Sequence, residues 1–336
     1  MRADSSENGR WVISLGALVL VLALLAGPLP AQAQQSPGKT ARIGYLSFSA
    51  GPSHLDEAFR QGLRELGHVE GQNIVIEYRW AGFKPDQAST LAADLSRLKV
   101  DVIVTTGGPI PAIAAKKATE TIPIVFAVGG PIRFGLVARL DRPGGNLTGL
   151  DNFFDELNVK RLELLTEAVP GISRVAVLAN PASPATAWRL KDLEAAARTL
   201  GVKLDVRQAR DPQEFDPAIT SLARERPGAL LVMNDPVFLD HRQRIVDAAA
   251  KHRLPGMFAF REFAEAGGLL SYAVNLADIY RRLATYVDKI LKGVKPGDLP
   301  IEQPTKFELI INVKTANSLG LTIPPSMVLR ADRLIE

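Results

Sequence analysis

The sequence predicts an α/β protein made of two similar lobes, each built around a parallel sheet. Three observations carry that reading. The chain repeats itself at an interval of about 130 residues: Arg42-Ile-Gly-Tyr-Leu46 returns as Arg174-Val-Ala-Val-Leu178, and Leu66-Gly67 as Leu200-Gly201. In the same order, Ile103-Val-Thr-Thr-Gly-Gly-Pro109 returns as Leu230-Leu-Val-Met-Asn-Asp-Pro236, and Ile122-Pro-Ile-Val-Phe-Ala127 as Leu254-Pro-Gly-Met-Phe-Ala259. Short β-rich runs alternate with helix-spaced runs, the pattern of a parallel sheet with crossover helices. Finally, about 300 residues follow an N-terminal apolar segment, enough for two cores of ~100 to 150 residues each.

Each element follows from its residues. Arg42 to Ser47 is a β-rich run, and Leu55 to Leu66 places Leu55, Phe59, Leu63 and Leu66 at helical spacing before Gly67 ends the helix. Asn73 to Tyr78 alternates as a strand does, Ala88 to Leu98 is helical, and Val100 to Thr105 is a continuous buried strand. Ala112 to Ala118 is helical, Ile124 to Val128 is a further strand, and Leu147 to Leu150 is an extended passage after the break at Pro143-Gly-Gly-Asn146. The second series runs as helix Lys160 to Val169, strand Arg174 to Leu178, helix Trp188 to Leu200, strand Leu204 to Gln208 and helix Phe215 to Arg224. Strand Ala229 to Met233, helix Arg242 to Lys251, strand Gly256 to Phe260 and the extended Leu269 to Ala273 complete it.

A long amphipathic helix, Leu276 to Leu291, then ends at Gly293, followed by an extended Pro300 to Pro304, a strand Phe307 to Ile311 and a short helix Val313 to Leu319. This tail does not fit a simple tandem. Passages near residues 148, 274 and 302 exchange elements between the lobes, so lobe one is expected to hold 41–150 and 275–300, and lobe two 151–274 and 301–336. The result is two Rossmann-like lobes joined by a three-passage hinge, which restrains twisting and permits closure.

Composition excludes several classes. The chain has no cysteine, hence no disulfide, no thiolate chemistry and no cysteine-bound metal. Its 40 basic and 36 acidic residues are spread without a basic run, so nucleic acid is not an expected partner. The apolar stretch Trp11 to Ala26, with Arg10 before it and Ala31-Gln-Ala33 after it, reads as an export signal: residues 1–33, cleaved after Ala33, then a flexible leader over 34–40. A retained anchor is the alternative, though the run is shorter than the ~20 residues that span a bilayer comfortably.

Ligands of open parallel sheets sit beyond the carboxyl ends of the strands. The residues there are Ser47-Phe48-Ser49, Thr105-Thr106-Gly107-Gly108 and Val128-Gly129-Gly130-Pro131 in the first lobe. In the second they are Asn180-Pro181-Ala182-Ser183, Asn234-Asp235 and Phe260-Arg261. Small hydroxylated and glycine residues before a helix leave backbone N–H groups free for a carboxylate, so lobe one is expected to hold an anion without a cation. The expected ligand residues are Ser47, Phe48, Thr106, Gly107, Gly108, Asn180, Ser183, Asn234, Asp235, Phe260 and Tyr272, with Phe48, Phe260 and Tyr272 as an aromatic wall. Singly, each also reads as an N-cap, a turn or core. Trp188 reads as helix packing or surface rather than a ligand contact.

Catalytic signatures are missing: no G-x-S-x-G, H-E-x-x-H, phosphate loop or dinucleotide loop occurs. Ser96-Arg-Leu-Lys99 matches S-x-x-K at a helix end without supporting motifs, and His54, His68, His241 and His252 are scattered. No cofactor or metal is expected, and no enzyme.

Eight motifs nonetheless carry a resemblance: Phe59-Arg-Gln-Gly-Leu-Arg-Glu-Leu-Gly67, Glu70-Gly-Gln-Asn73, Ile122-Pro-Ile-Val-Phe126, Gly135-Leu-Val137, Arg142-Pro-Gly-Gly-Asn-Leu-Thr-Gly149, Lys160-Arg-Leu-Glu-Leu-Leu165, Gly267-Gly-Leu-Leu-Ser-Tyr272 and Leu299-Pro-Ile-Glu-Gln-Pro-Thr-Lys-Phe-Glu308. By these the chain resembles the substrate-binding proteins of ABC importers, in the branch that includes tryptophan-binding-like proteins. The resemblance implies a type I periplasmic binding protein fold, a periplasmic monomer, an amino-acid-like ligand and an ABC permease of the inner membrane as partner. At two cleft loops the chain departs from its relatives: Gly107-Gly108-Pro109 replaces Gly-Thr-Pro or Ala-Thr-Pro, and Gly130-Pro131-Ile132 replaces Asp-Pro-Val, which removes an acid that could meet a ligand amine. Two other readings stay open on the residues: a receptor serving a sensor kinase, and a secreted enzyme on the same scaffold.

Overall fold

The computed structural model describes residues 40–336. The expected export segment, 1–33, and the leader up to residue 39 lie outside the described residues. Strands β1 (Ala41–Ser47), β2 (Ile74–Trp80), β3 (Val102–Thr106), β4 (Ile124–Ala127) and β5 (Leu147–Leu150) form one parallel sheet in the order β2-β1-β3-β4-β5. The central β3 is buried along its whole length, which is why it reads as a continuous apolar run rather than an alternating one.

Helix α1 (His54–Glu65) starts at a capping box: the Ser53 hydroxyl accepts from the Leu55 N–H while the Asp56 side chain takes the Ser53 N–H. It buries Leu55, Phe59 and Leu63 against the sheet. Helices α2 (Pro85–Arg97) and α3 (Pro109–Ala118) complete the crossovers, both with proline in the first turn, where the missing N–H costs nothing.

The second sheet has seven strands, in the order β12-β11-β10-β9-β8-β6-β7. Its strands are β6 (Arg174–Ala179), β7 (Lys203–Gln208), β8 (Ala229–Val232), β9 (Gly256–Phe258), β10 (Leu270–Ala273), β11 (Glu308–Asn312) and β12 (Arg333–Ile335). Helices α4 (Phe154–Ala168), α5 (Thr186–Leu200), α6 (Pro212–Arg224), α7 (Pro236–Asp240), α8 (Arg242–Lys251) and α9 (Arg261–Glu265) belong to this half of the fold, as do α11 (Val313–Leu319) and α12 (Pro325–Arg330). Helix α10 (Leu276–Leu291) instead packs on α1 and on β3 to β5 of the first sheet. Gly62 permits that contact: a Cβ there would lie 2.3 Å from the Arg281 carbonyl oxygen.

The chain passes between the halves three times. After β5 the Asp151 N–H donates to the Glu302 carbonyl at 3.0 Å, so the first and third passages run side by side. Leu147 to Leu150, expected as a mere passage, is the fifth strand of the first sheet, and Gly149 allows it: at φ 152° it lies so near β4 that a Cβ would be 2.0 Å from the Phe126 oxygen. One pair departs from the parallel expectation, β11 running antiparallel to β10. The reason is connectivity. β10 leaves toward the first sheet through α10, so the returning chain must enter the second sheet in the opposite sense.

Other differences are local. Helix α4 begins at Phe154, six residues before the expected start, because Phe153 sits at φ 58° as an N-cap without any side-chain cap bond and so leaves no capping signature. Strand β9 stops at Phe258, and Phe260 caps α9. The one-turn helices α7, α9 and α12 and the edge strand β12 are too short to impose a period. No helix among the described residues is long and apolar enough to cross a membrane.

Candidate functional site

The two sheets turn their carboxyl ends toward each other, and a cavity of about 140 Å³ lies between them. By the measure under which one water needs ~10 to 15 Å³, that is room for a small organic molecule. The halves touch around it: His54 Nε2 lies 3.2 Å from Glu262 Oε1, Arg133 pairs with Asp192 at 3.1 Å, and the Phe134 and Trp188 rings meet at 5.0 Å.

Ser47, Ser49, Ser53, Asp56, Gly107 and Gly108 line the first-lobe side, with Tyr280 from α10. Asp56 is buried, and its carboxylate is held by the Ser53 N–H at 2.5 Å, by the Ser53 hydroxyl at 2.9 Å and by the Tyr45 hydroxyl. Burial, then the neighbouring Tyr280 and Asp56, raises the Tyr45 hydroxyl well above its ordinary range, so Tyr45 remains a donor. Burial raises Tyr280 likewise, against the pull of the Thr106 hydroxyl and the Gly107 N–H. Gly107 and Gly108 have φ of 80° and 101°, and a Cβ on Gly107 would lie 2.9 Å from that of Phe48. The turn therefore needs glycine for both conformation and closeness.

The second-lobe side is ionic. Arg189, only 6% exposed, donates from Nε to Asp155 Oδ1 at 2.6 Å and from Nη2 at 2.5 Å. Trp188 Nε1 donates to the other Asp155 oxygen at 3.3 Å. With its oxygen turned toward Arg189, the Asn234 carboxamide accepts from both terminal nitrogens at 3.1 and 3.2 Å. Asp235 caps α7 through the Val237 N–H at 2.9 Å, and burial pushes its carboxyl up to about 6. Ser183, Arg242, Phe154 and Phe260 complete this wall, the two rings meeting edge to face at 5.1 Å. Behind Phe154 lies the wholly buried Arg161, whose guanidinium is 5.7 Å from the ring. It donates to the Tyr272 carbonyl at 2.8 Å and to Asn158 at 3.0 Å, and burial lowers it to about 9.

Of the residues expected from the sequence, Ser47, Gly107, Gly108, Ser183, Asn234, Asp235 and Phe260 line this cavity. Phe48 and Asn180 line a smaller neighbouring one of about 50 Å³. Two do not reach either. Thr106 is the last residue of β3 and faces inward, its hydroxyl donating to the Tyr45 oxygen at 3.2 Å. Tyr272 lies on β10 with its ring against Phe307 at 6.0 Å. Against the expectation of an anion site without a cation, Arg189 and Arg242 face the same cavity as the lobe-one loops. The acid missing at Gly130 is likewise offset by Asp56 and Asp235, and a Cβ on Gly130 would fall 2.9 Å from the Asp155 carboxylate, which is paired with Arg189 behind the wall.

Asp56, Asn152, Asp155, Arg189, Arg242 and Tyr280 were not expected at the site. Only Asp56 had a sequence signal, the Ser53-x-x-Asp56 capping pattern; the helix residues Asp155, Arg189, Arg242 and Tyr280 and the loop residue Asn152 stand in no motif. No cluster of His, Cys, Asp and Glu suited to a metal occurs among the described residues. Ser96 of the S-x-x-K match donates to the Ala118 carbonyl at 3.1 Å, a helix-to-helix tie.

Residues 47–335 match the family model described as ABC transporter substrate binding protein. A tyrosine-binding protein of Clostridioides difficile is 26% identical over 288 residues, covering 84% of this chain and 82% of that protein. The crystal structure of a conserved domain protein from Vibrio cholerae superposes with a TM-score of 0.81 at 29% identity, over 88% of this chain and all of that one. A Streptococcus pneumoniae ABC domain in complex with L-Trp gives the same TM-score at 24% identity, again over 88% of this chain and 100% of the other. The fold is that of the type I periplasmic binding proteins.

Proposed function

Since the chain belongs to the ABC transporter substrate binding protein family, we propose that it is the periplasmic receptor of an importer. It closes over one aromatic, amino-acid-like ligand and presents it to an inner-membrane permease. The observation that carries the ligand class is the composition of the cavity. Asp56 and Asp235 offer sites for an ammonium, Arg242 and the Gly107-Gly108 turn offer sites for a carboxylate, and Phe154 and Phe260 offer an apolar face. A zwitterion with a flat apolar side chain satisfies all of them. The names of the relatives agree, one tyrosine-binding and one in complex with L-Trp.

In this reading residues 41–150 with 275–300 move as one lobe and 151–274 with 301–336 as the other, swinging about the three passages. Ser47, Gly107, Gly108, Ser183, Asn234, Asp235 and Phe260 contact the ligand. The role is binding rather than catalysis, as family membership implies. Export removes residues 1–33, and N-terminal sequencing of the periplasmic protein should begin at Gln34; intact Met1 would favour an anchor.

A thermal-shift and calorimetric screen of the mature chain against the common amino acids tests the ligand class. A true ligand at 100 times its Kd adds ~2.7 kcal/mol of stability, and a one-to-one isotherm with an aromatic amino acid is the expected result. Binding confined to sugars or to non-amino acids would overturn it.

A further inference from the structure

The cleft has a second chamber. Beside the main cavity lies the smaller one of about 50 Å³, and Gly107, Pro109, Ser183, Asp235 and Pro236 line both, so the two adjoin. At ~10 to 15 Å³ per water, the smaller has room for roughly four heavy atoms, those of one apolar side chain, and the main cavity for roughly a dozen. A free aromatic amino acid fills the first and leaves the second unused.

The walls of the second chamber are apolar and held in place. Phe83 has φ at 60°, a left-handed conformation that is costly for an aromatic residue and persists only where its surroundings over-determine it. Its N–H donates to the Phe48 carbonyl at 2.8 Å, and the Phe83 and Phe48 rings meet edge to face at 5.9 Å along the chamber wall.

Two polar groups at this chamber lack partners, and neither is closed off from it. Ser183, half-buried at the junction, has a hydroxyl that makes no hydrogen bond among the described residues. Arg210 is exposed; its backbone N–H is taken by Glu214, but its guanidinium has no ion pair among the described residues. A hydroxyl at the junction suits an amide, and an unpaired cation beside an apolar wall suits a carboxylate.

Resting on the reading of the main cavity given above, we propose that the second chamber is a subsite for a second residue, so that the cleft takes a dipeptide with an aromatic first and an apolar second residue. The first ring and the ammonium stay in the main cavity, and the peptide group lies at Gly107 and Ser183. The second side chain meets Phe48 and Phe83, and the terminal carboxylate faces Arg210.

Calorimetry on the mature protein with tyrosine, tryptophan, tyrosyl-leucine and tryptophyl-leucine tests this, beside Phe83→Gly and Arg210→Gln. Phe83→Gly removes the ring and also relieves the left-handed strain, and thermal melts verify that both variants fold. The wild type should bind the better dipeptide about ten-fold or more tighter than its parent amino acid, the scale of burying one apolar side chain. Phe83→Gly should erase most of that advantage, and Arg210→Gln should reduce it about two- to five-fold, the scale of an exposed ion pair. Both variants should leave the free amino acid within about three-fold of the wild type. Dipeptides that bind no tighter than their parent amino acids, or an advantage untouched by Phe83→Gly, would overturn the inference and leave the cleft reading standing. Binding of none of the four would overturn the cleft reading and this inference together.

Discussion

The two walls of the cleft are made in different ways. The first lobe contributes turns: serines after β1, the Gly107-Gly108 step into α3, and one acid, Asp56, fixed by donors from its own loop and from Tyr45. The second contributes long side chains from the first turns of helices, above all the Arg189–Asp155 pair, braced by Asn234 and Trp188. The first wall is set mainly by backbone path. The second is set by buried charge, so removal of one member leaves another unpaired.

Arg189→Ala should therefore have the largest effect. It strands Asp155 in a buried site, and breaking such a pair costs about 3 to 5 kcal/mol, read as a fall in the urea midpoint together with loss of ligand binding. A stability change under 1 kcal/mol would mean that the ionic wall is not the more fragile one. Asp56→Asn should cost ~1.5 to 3 kcal/mol, the scale of hydrogen bonds to a charged group. It should also weaken binding of a zwitterion more than binding of its deaminated analogue.

Asp235 sharpens the comparison through pH. Burial raises its folded-state value to about 6, above the ~3.9 of an unfolded aspartate. The folded chain then holds the proton more tightly than the unfolded one, so this group's contribution is full below about pH 4 and is lost as pH rises through about 6. The full loss is about 2 to 3 kcal/mol for a shift of that size. Asp235→Asn, which keeps a capping side chain without the charge, should flatten the stability profile between pH 4 and 7. An unchanged profile would remove Asp235 as its source.

The smallest effect is expected at Thr106. Its hydroxyl serves Tyr45 behind the first wall, so Thr106→Val should cost ~0.5 to 1.5 kcal/mol of stability while ligand affinity stays within about three-fold. A ten-fold affinity loss would put this hydroxyl at the ligand.

The same contrast explains what was legible in the sequence. Strand-end loops announce themselves, because a continuous apolar run such as Val102–Thr106 followed by Gly107-Gly108 has few other meanings. Helix ends at Gly201 and Gly320 were equally readable, both being left-handed C-caps. That located most of the lobe-one wall, along with Asn234 and Asp235. The ionic wall was not legible: Arg189 follows Trp188 in a helix whose buried face was not foreseen, and Asp155 lies in the uncapped first turn of α4. The direction of β11 depends on where the chain returns from, and Thr106 and Tyr272 depend on which face of a strand turns inward. Those are tertiary facts that no local pattern encodes.

The central claim is closure of these two walls on a small ligand. Small-angle scattering of the mature protein tests it most directly, with and without an aromatic amino acid shown by calorimetry to bind. The account predicts a radius of gyration that falls on ligand addition, toward the value calculated from the structure in which His54 meets Glu262 and Phe134 meets Trp188. Superimposable curves in the presence and absence of a bound ligand would contradict it.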